Sequence, residues 1–302
     1  MSLSFPFVPR GTYFITFSCS ERRFFLKPSA QVPQVFLFCL LRAAKKYGIK
    51  VHAFCVLSNH CHMVVTDPDV SLPDFMSWLK AQSTRCLNVF YGRTGPIWED
   101  EPYGRARVLG DEALIDKLVY TITNPLSSGL VRRPEQWPGL VSSPEDIGSR
   151  EFEVKRPSWY FRKNGPVPAT VSGMLSVPPQ FAHLSLQEFV TLLRDKVEER
   201  IRELHDALDK TGRTCLGTKR VLRRKIGDTP RTPPPRSKLN PRVVCKDSTR
   251  RVAALRALKA FYQAYREAFL AYRNGDKNVL FPRGTFWMRV HASVRCEAFA
   301  PT

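Results

Sequence analysis

His60 and His62 stand one residue apart within Asn59–Val65 (NHCHMVV). On a strand, alternate side chains share a face, so both imidazoles project together and Cys61 points the other way. Two neighbouring imidazoles on an open sheet face form the start of a divalent metal site. A second group lies in Asp111–Asn124, where Leu114, Ile115, Leu118, Val119 and Ile122 recur at helical spacing and make one compact apolar face. Tyr120 falls roughly opposite that face, together with Lys117 and Asn124. A core tyrosine would sit within the apolar stripe of its own helix, and this one does not. Taken singly, the histidines also read as two surface residues and Tyr120 as an exposed tyrosine. Taken together, with the helix laid across the sheet, they give two nitrogens and one amide oxygen from Asn124, with Tyr120 beside them. That ligand set leaves positions for phosphate oxygens and suits Mg2+ or Mn2+, with imidazole tilting the balance towards Mn2+. The Lys117 cation would favour a Tyr120 phenolate, or equally contact phosphate.

The elements that must carry these groups follow from the pattern. Thr12–Ser18 (TYFITFS) is rich in β-branched and aromatic residues and predicts a strand. Gln31–Tyr47 has helical apolar spacing, with Gly48 placed to end it. Ile49–Leu57 and His60–Thr66 predict two strands of a hairpin turning at Ser58 and Asn59. Leu72–Tyr91 is a second long helix, Pro102–Leu109 a fourth strand, and Asp111 an N-cap for a helix that Pro125 stops at Asn124. Strand, helix, strand, strand, helix, strand is the ferredoxin-like α+β arrangement: an antiparallel sheet with helices on one face. The extra helix is then placed to cross the open face.

Charge divides the chain differently. The net charge is +20 over 302 residues, with 17 basic and 13 acidic residues in 1–150 against 30 and 14 in 151–302. This asymmetry points to a polyanionic partner, nucleic acid above all, and to two parts: a domain at 1–150 holding the chemistry and a basic, mostly helical accessory domain at 151–302. In the second part, Glu151–Pro179 is proline-rich with no clear period. Leu186–Asp209 and Ser248–Arg273 predict long helices, Thr211–Lys225 a short basic one, and 228–242 a proline-rich loop. Lys219, Arg220, Arg223, Arg224 and Lys225 would hold the phosphate backbone without reading sequence. Arg105 and Arg107, on one face of the fourth strand, would contact nucleic acid near the site. The eight cysteines form no C-x-x-C pair and sit mostly in apolar runs, as buried hydrophobes of a reducing compartment do. With no run of membrane-span length, the expected location is cytoplasmic, with the nucleoid, and no membrane partner is expected.

Three motifs then carry a resemblance. Asn59–Val65 (NHCHMVV) resembles the His-hydrophobic-His motif of the HUH nucleases, Tyr120–Val131 (YTITNPLSSGLV) the tyrosine helix of the REP-associated tyrosine transposases, and Arg10–Phe17 (RGTYFITF) their first strand. The likeness covers roughly residues 8–145. It implies metal binding by His60 and His62, with Asn124 where relatives carry an amide, and nucleophilic attack by Tyr120. It further implies that single-stranded or hairpin DNA is cleaved and rejoined through a 5′-phosphotyrosine, and it adds Arg10 to the DNA-binding set. Two positions depart from the pattern: Ser127 and Ser128 replace an Arg-Ala pair, and Cys61 is smaller than the usual middle hydrophobe. Related enzymes act as dimers exchanging tyrosine helices or as monomers, and the short link Val108–Asp111 favours the monomer. Two other readings remain open: a domesticated relative that no longer moves an element, and a non-catalytic regulator with Leu216–Lys225 as its recognition helix.

Overall fold

A computed structural model of the chain describes residues 5–100, 103–232 and 241–299. The first half runs β1 (Gly11–Ser18), α1 (Gln31–Tyr47), β2 (Lys50–Val56), β3 (His60–Asp67), α2 (Leu72–Tyr91), β4 (Gly104–Val108) and α3 (Asp111–Ser127). The second half adds β5 (Leu140–Val141), β6 (Glu151–Lys155), β7 (Thr170–Met174), α4 (Leu186–Lys210), α5 (Thr218–Leu222), β8 (Val243–Val244), α6 (Ser248–Arg273) and α7 (Trp287–His291). The main sheet has the order β5-β2-β3-β1-β4-β8. Its inner four strands, β2-β3-β1-β4, are antiparallel and have the predicted ferredoxin-like order. Short β5 and β8 extend the two edges, β8 parallel to β4.

Alternation along the strands decides which side each helix takes. Tyr13, Ile15 and Phe17 of β1 are buried towards α1 and α2, with Phe17 stacked on Phe36 at 6.4 Å. Cys61 and Met63 of β3 pair with Phe17 and Ile15 and share that core. Phe14, Thr16, His60 and His62 take the opposite face, and α3 lies across it. Leu114, Leu118 and Ile122 bury the apolar stripe of α3, and α4 packs along the same helix.

Several expectations are corrected. Asp111 is not the N-cap of α3: Gly110 is, at φ 88°, and Asp111 and Glu112 occupy the first turn, where their negative charge is stabilised by the positive end of the helix dipole. Pro125 does not stop the helix, which runs on to Ser127. In the last turn a proline removes only one backbone bond, and Ser128 N–H still reaches the Asn124 carbonyl at 2.9 Å. The predicted helix at Thr211–Lys225 shrinks to the five residues of α5, because Gly212 and Gly217 take positive φ and break it. Such a short helix is also a poor recognition helix. The stretch read as patternless holds the β6–β7 hairpin, whose inward Phe152 meets Phe54 of β2 at 5.9 Å. The apolar core is therefore continuous across residue 150. Of the predicted proline-rich loop at 228–242, residues 233–240 lie outside the described residues. A second, smaller core gathers Phe261, Tyr265 and Ala268 of α6 with Phe281, Met288 and Val294.

Candidate active site

The register of β1 against β3 sets Thr16 beside His62 and Ser18 beside His60. The two imidazoles lie 4.9 Å apart between ring centroids. The Tyr120 ring meets His62 edge-on at 5.2 Å and Phe14 at 5.7 Å. Histidine pair and tyrosine therefore come together within one chain. One helical turn further on, Asn124 is 2% exposed, and its Oδ1 is buried without a hydrogen-bond partner.

Each histidine is oriented by a neighbour the sequence reading passed over. Asn59 Nδ2 donates to the Arg22 carbonyl at 3.4 Å, which turns the amide so that Oδ1 faces His60 Nδ1 at 2.8 Å. An amide oxygen only accepts, so His60 carries its proton on Nδ1 and leaves a lone pair on Nε2. His62 Nδ1 contacts the Thr16 hydroxyl at 2.9 Å, and the ring stacks on Phe14 at 5.4 Å. The missed signal was register: once β1 and β3 are paired, Thr16 must sit next to His62.

Burial pushes the His60 pKa down to about 4, with Asn124 opposing the shift and Arg22 adding to it. Burial, then His60 and Lys117, hold His62 well below the ordinary histidine range. Both rings are therefore neutral near pH 7, as metal ligands must be. Among the described residues no three His, Cys, Asp or Glu side chains converge on a metal position. The donor set here is two imidazoles and an amide oxygen, and the orphaned Asn124 carbonyl is the buried acceptor a cation would satisfy.

Lys117 Nζ lies over the rings of Phe14 and Tyr120, at 4.8 and 5.4 Å. The expected depression of the Tyr120 pKa is not found. Burial raises it, and the group that opposes burial is Asn124 rather than Lys117. Lys117 itself is lowered by burial.

The basic residues divide. Leu216 and Gly217 donate backbone bonds to Gly129 and Leu130, both at 2.8 Å, and Val221 is buried with Cys55, Leu57 and Trp137. Phe24 N–H reaches the Asp228 carbonyl at 3.0 Å, and Arg22 the Thr232 carbonyl at 3.0 Å. These contacts bring Lys219, Arg220, Arg223, Arg224 and Lys225 to the His60 end of the sheet, and all but Arg224 are exposed. Arg105 and Arg107 do share a face, but it is the wrong one. They pair with Ile15 and Tyr13, whose side chains point away from the histidines. Arg105 is enclosed by Phe5, Phe7 and Tyr103, with centroids 4.8 to 5.3 Å away, so it contacts aromatic faces and not the site. Arg10 precedes β1 at the far end, roughly 20 Å along the strand from Thr16.

Residues 8–105 match the family model described as Transposase IS200 like. That match ends before α3, so it contains the histidines and not Tyr120. Among solved structures, a REP-associated tyrosine transposase bound to a REP hairpin aligns with 46% of this chain and 81% of its own, at 20% identity and TM-score 0.39. A Deinococcus radiodurans R1 protein assigned as a transposase aligns over 41% and 97%, at 20% identity and TM-score 0.29. A comparison with curated proteins found no match. No helix among the described residues is long and apolar enough to cross a membrane. Through residues 8–105 the chain resembles the IS200-like transposases, as its motifs imply.

Proposed function

We propose that this chain is a single-strand DNA transposase or endonuclease that cleaves and rejoins DNA through Tyr120. The observation that carries the reading is the placement of Tyr120 against His62, with the unpartnered carbonyl of Asn124 on the same helix face. Tyr120 Oη attacks a backbone phosphorus. The bond to the 3′ oxygen breaks, that oxygen leaves as a 3′-OH after taking up a proton, and the 5′ phosphate stays on the tyrosine. A 3′-OH of another strand reverses the step and joins DNA without ATP, because the phosphodiester bond is conserved.

Tyr120, like any tyrosine, is a phenol at neutral pH, and burial raises its pKa further, so its proton must leave as the oxygen attacks. Lys117, over the ring face, supplies positive charge for the phenolate or the phosphate. Neutral His60 and His62, with Asn124, would hold Mg2+ or Mn2+. Such an ion supplies charge to offset that building on the phosphoryl oxygens. Lys219, Arg220, Arg223, Arg224 and Lys225 hold the strand through its phosphates at the His60 end, as the second half's share of the work. Arg105 and Arg107 are assigned no part at this site. Because Tyr120 reaches the histidines of its own chain, a monomer contains the full set.

The test is a 5′-extended hairpin oligonucleotide, labelled at its 3′ end, incubated with protein and Mn2+. A labelled band at protein mass on a denaturing gel, absent with EDTA and with His60→Ala, supports the reading. No band with the wild type refutes it.

A further inference from the structure

The first three and a half turns of α6 are almost bare. Of residues 248–260, every one is exposed except Ala254 and Leu258, which are half-buried. Only the C-terminal half of the helix is anchored, through Phe261, Tyr265 and Ala268. The bare half carries Arg250, Arg251, Arg256 and Lys259 and no acidic residue. The nearest acid, Asp247, is engaged as the N-cap, accepting from Arg250 N–H at 2.8 Å. Among the described residues, none of the four cations forms a salt bridge. The bare half also leaves Val252 and Leu255 44% and 45% exposed.

An isolated segment of this length is marginal as a helix in water and exposes apolar surface, so its form suits a bound partner. A second copy would set four cations against four cations. A polyanion removes that repulsion. From Arg250 to Lys259 the cations span about 14 Å along the axis, on a rod that fits a major groove about 12 Å wide.

Its position fits the same partner. Lys246, just before the helix, pairs with Asp116 of α3 at 2.9 Å, and Arg250 lies beside Gly110. From Gly110 to Tyr120 is about 15 Å along α3. A duplex held at the start of α6 would therefore lie about 15 Å from Tyr120, a distance a few nucleotides of single strand can span.

We propose that the exposed half of α6 is a docking surface for double-stranded DNA, which it holds through phosphates of the stem while the single strand enters the tyrosine site. This rests on the reading of the chain as a DNA-cleaving enzyme, but duplex binding needs neither Tyr120 nor the histidines.

The experiment measures affinity of the full chain for a blunt 20-base-pair duplex in EDTA, by fluorescence anisotropy over a salt series. Arg250, Arg251, Arg256 and Lys259 are changed together to Gln, which keeps helix propensity. If all four contact phosphates, the slope of log Kd against log salt falls by about 3 to 4, so the affinity advantage of the wild type shrinks on the order of 100-fold between 50 and 200 mM salt. A control with equal charge change alters Arg194, Lys196, Arg200 and Arg202 of α4, the first three of which are ion-paired. The proposal expects that control to bind duplex nearly as the wild type does. It also expects the α6 variant to form the covalent adduct normally on an unstructured single strand.

Equal losses in both variants would reduce the effect to bulk charge and overturn the proposal, as would an unchanged slope. A parallel loss of single-strand adduct would overturn it too, as would binding to phosphatidylserine vesicles that survives saturating duplex. If the wild type binds duplex through α6 but forms no adduct on any strand, the catalytic reading fails while this one stands.

Discussion

Asn59→Ala tests whether the amide before the histidine pair sets which nitrogen of His60 is free. The Oδ1···Nδ1 contact is 2.8 Å, and the amide is held by the Arg22 carbonyl, so in the wild type the Nδ1–H tautomer is enforced. Without it, His60 redistributes its proton between the two nitrogens and rotates more freely. Loss of such an outer partner of a metal-bound histidine costs 10- to 100-fold in metal affinity, about 1.4 to 2.7 kcal/mol. Asn59→Asp keeps an acceptor at the same place and should restore most of the affinity. Two assays read this: calorimetric or electron-spin titration with Mn2+, and long-range proton–nitrogen correlation spectra of the imidazoles in metal-free protein. The expected result is weaker Mn2+ binding and a shift of His60 away from the pure Nδ1–H form in Asn59→Ala, both reversed in Asn59→Asp. Unchanged affinity together with an unchanged tautomer would refute the reasoning.

Three further outcomes follow from the same geometry. His52 is fully buried between the Ser176 carbonyl at 2.7 Å and the Thr66 hydroxyl at 2.8 Å, and burial lowers its pKa from 6.5 to about 4. The unfolded chain binds this proton first as pH falls. The stability is therefore intact above pH 6.5 and lost progressively down to pH 4, by up to about 3 kcal/mol at about 1.4 per pH unit. Urea unfolding at pH 7 and 4.5 should show that loss and a smaller one in His52→Asn, whereas identical slopes would count against it. Asn124→Leu removes a buried carbonyl without a partner, so it should raise thermal stability by about 1 kcal/mol while weakening Mn2+ binding; lower stability would mean that the oxygen is already satisfied. Leu118 is 0% exposed on the buried face of the tyrosine helix, so Leu118→Ala should cost about 2 to 5 kcal/mol in urea unfolding, and a loss below about 1 kcal/mol would mean that α3 is not held by its stripe.

Much of the site was legible because it rests on two periodicities. Alternation put His60 and His62 on one face and Cys61 on the other, and the 100° step put Tyr120 and Asn124 opposite Leu118. The succession of strands and helices along the chain was legible for the same reason, and it matched the ferredoxin-like arrangement. What periodicity does not carry is which neighbours meet across the sheet. Thr16 and Asn59 were missed because their roles depend on register and on one amide's orientation. Arg105 and Arg107 were placed near the DNA because their shared face was read correctly but its side was not. The β6–β7 hairpin escaped because its strands are short and separated by a long proline-containing stretch. Pro125 misled in the opposite direction, since a breaker in a final turn removes little.

The most direct test of the central claim maps the covalent bond. Adduct formed with a 3′-labelled single strand and Mn2+ is digested with trypsin and nuclease, and the modified peptide is identified by mass spectrometry. The account predicts a nucleotide 5′-phosphate on Tyr120 and no adduct with Tyr120→Phe. Attachment at any other residue, or undiminished adduct in Tyr120→Phe, would contradict it.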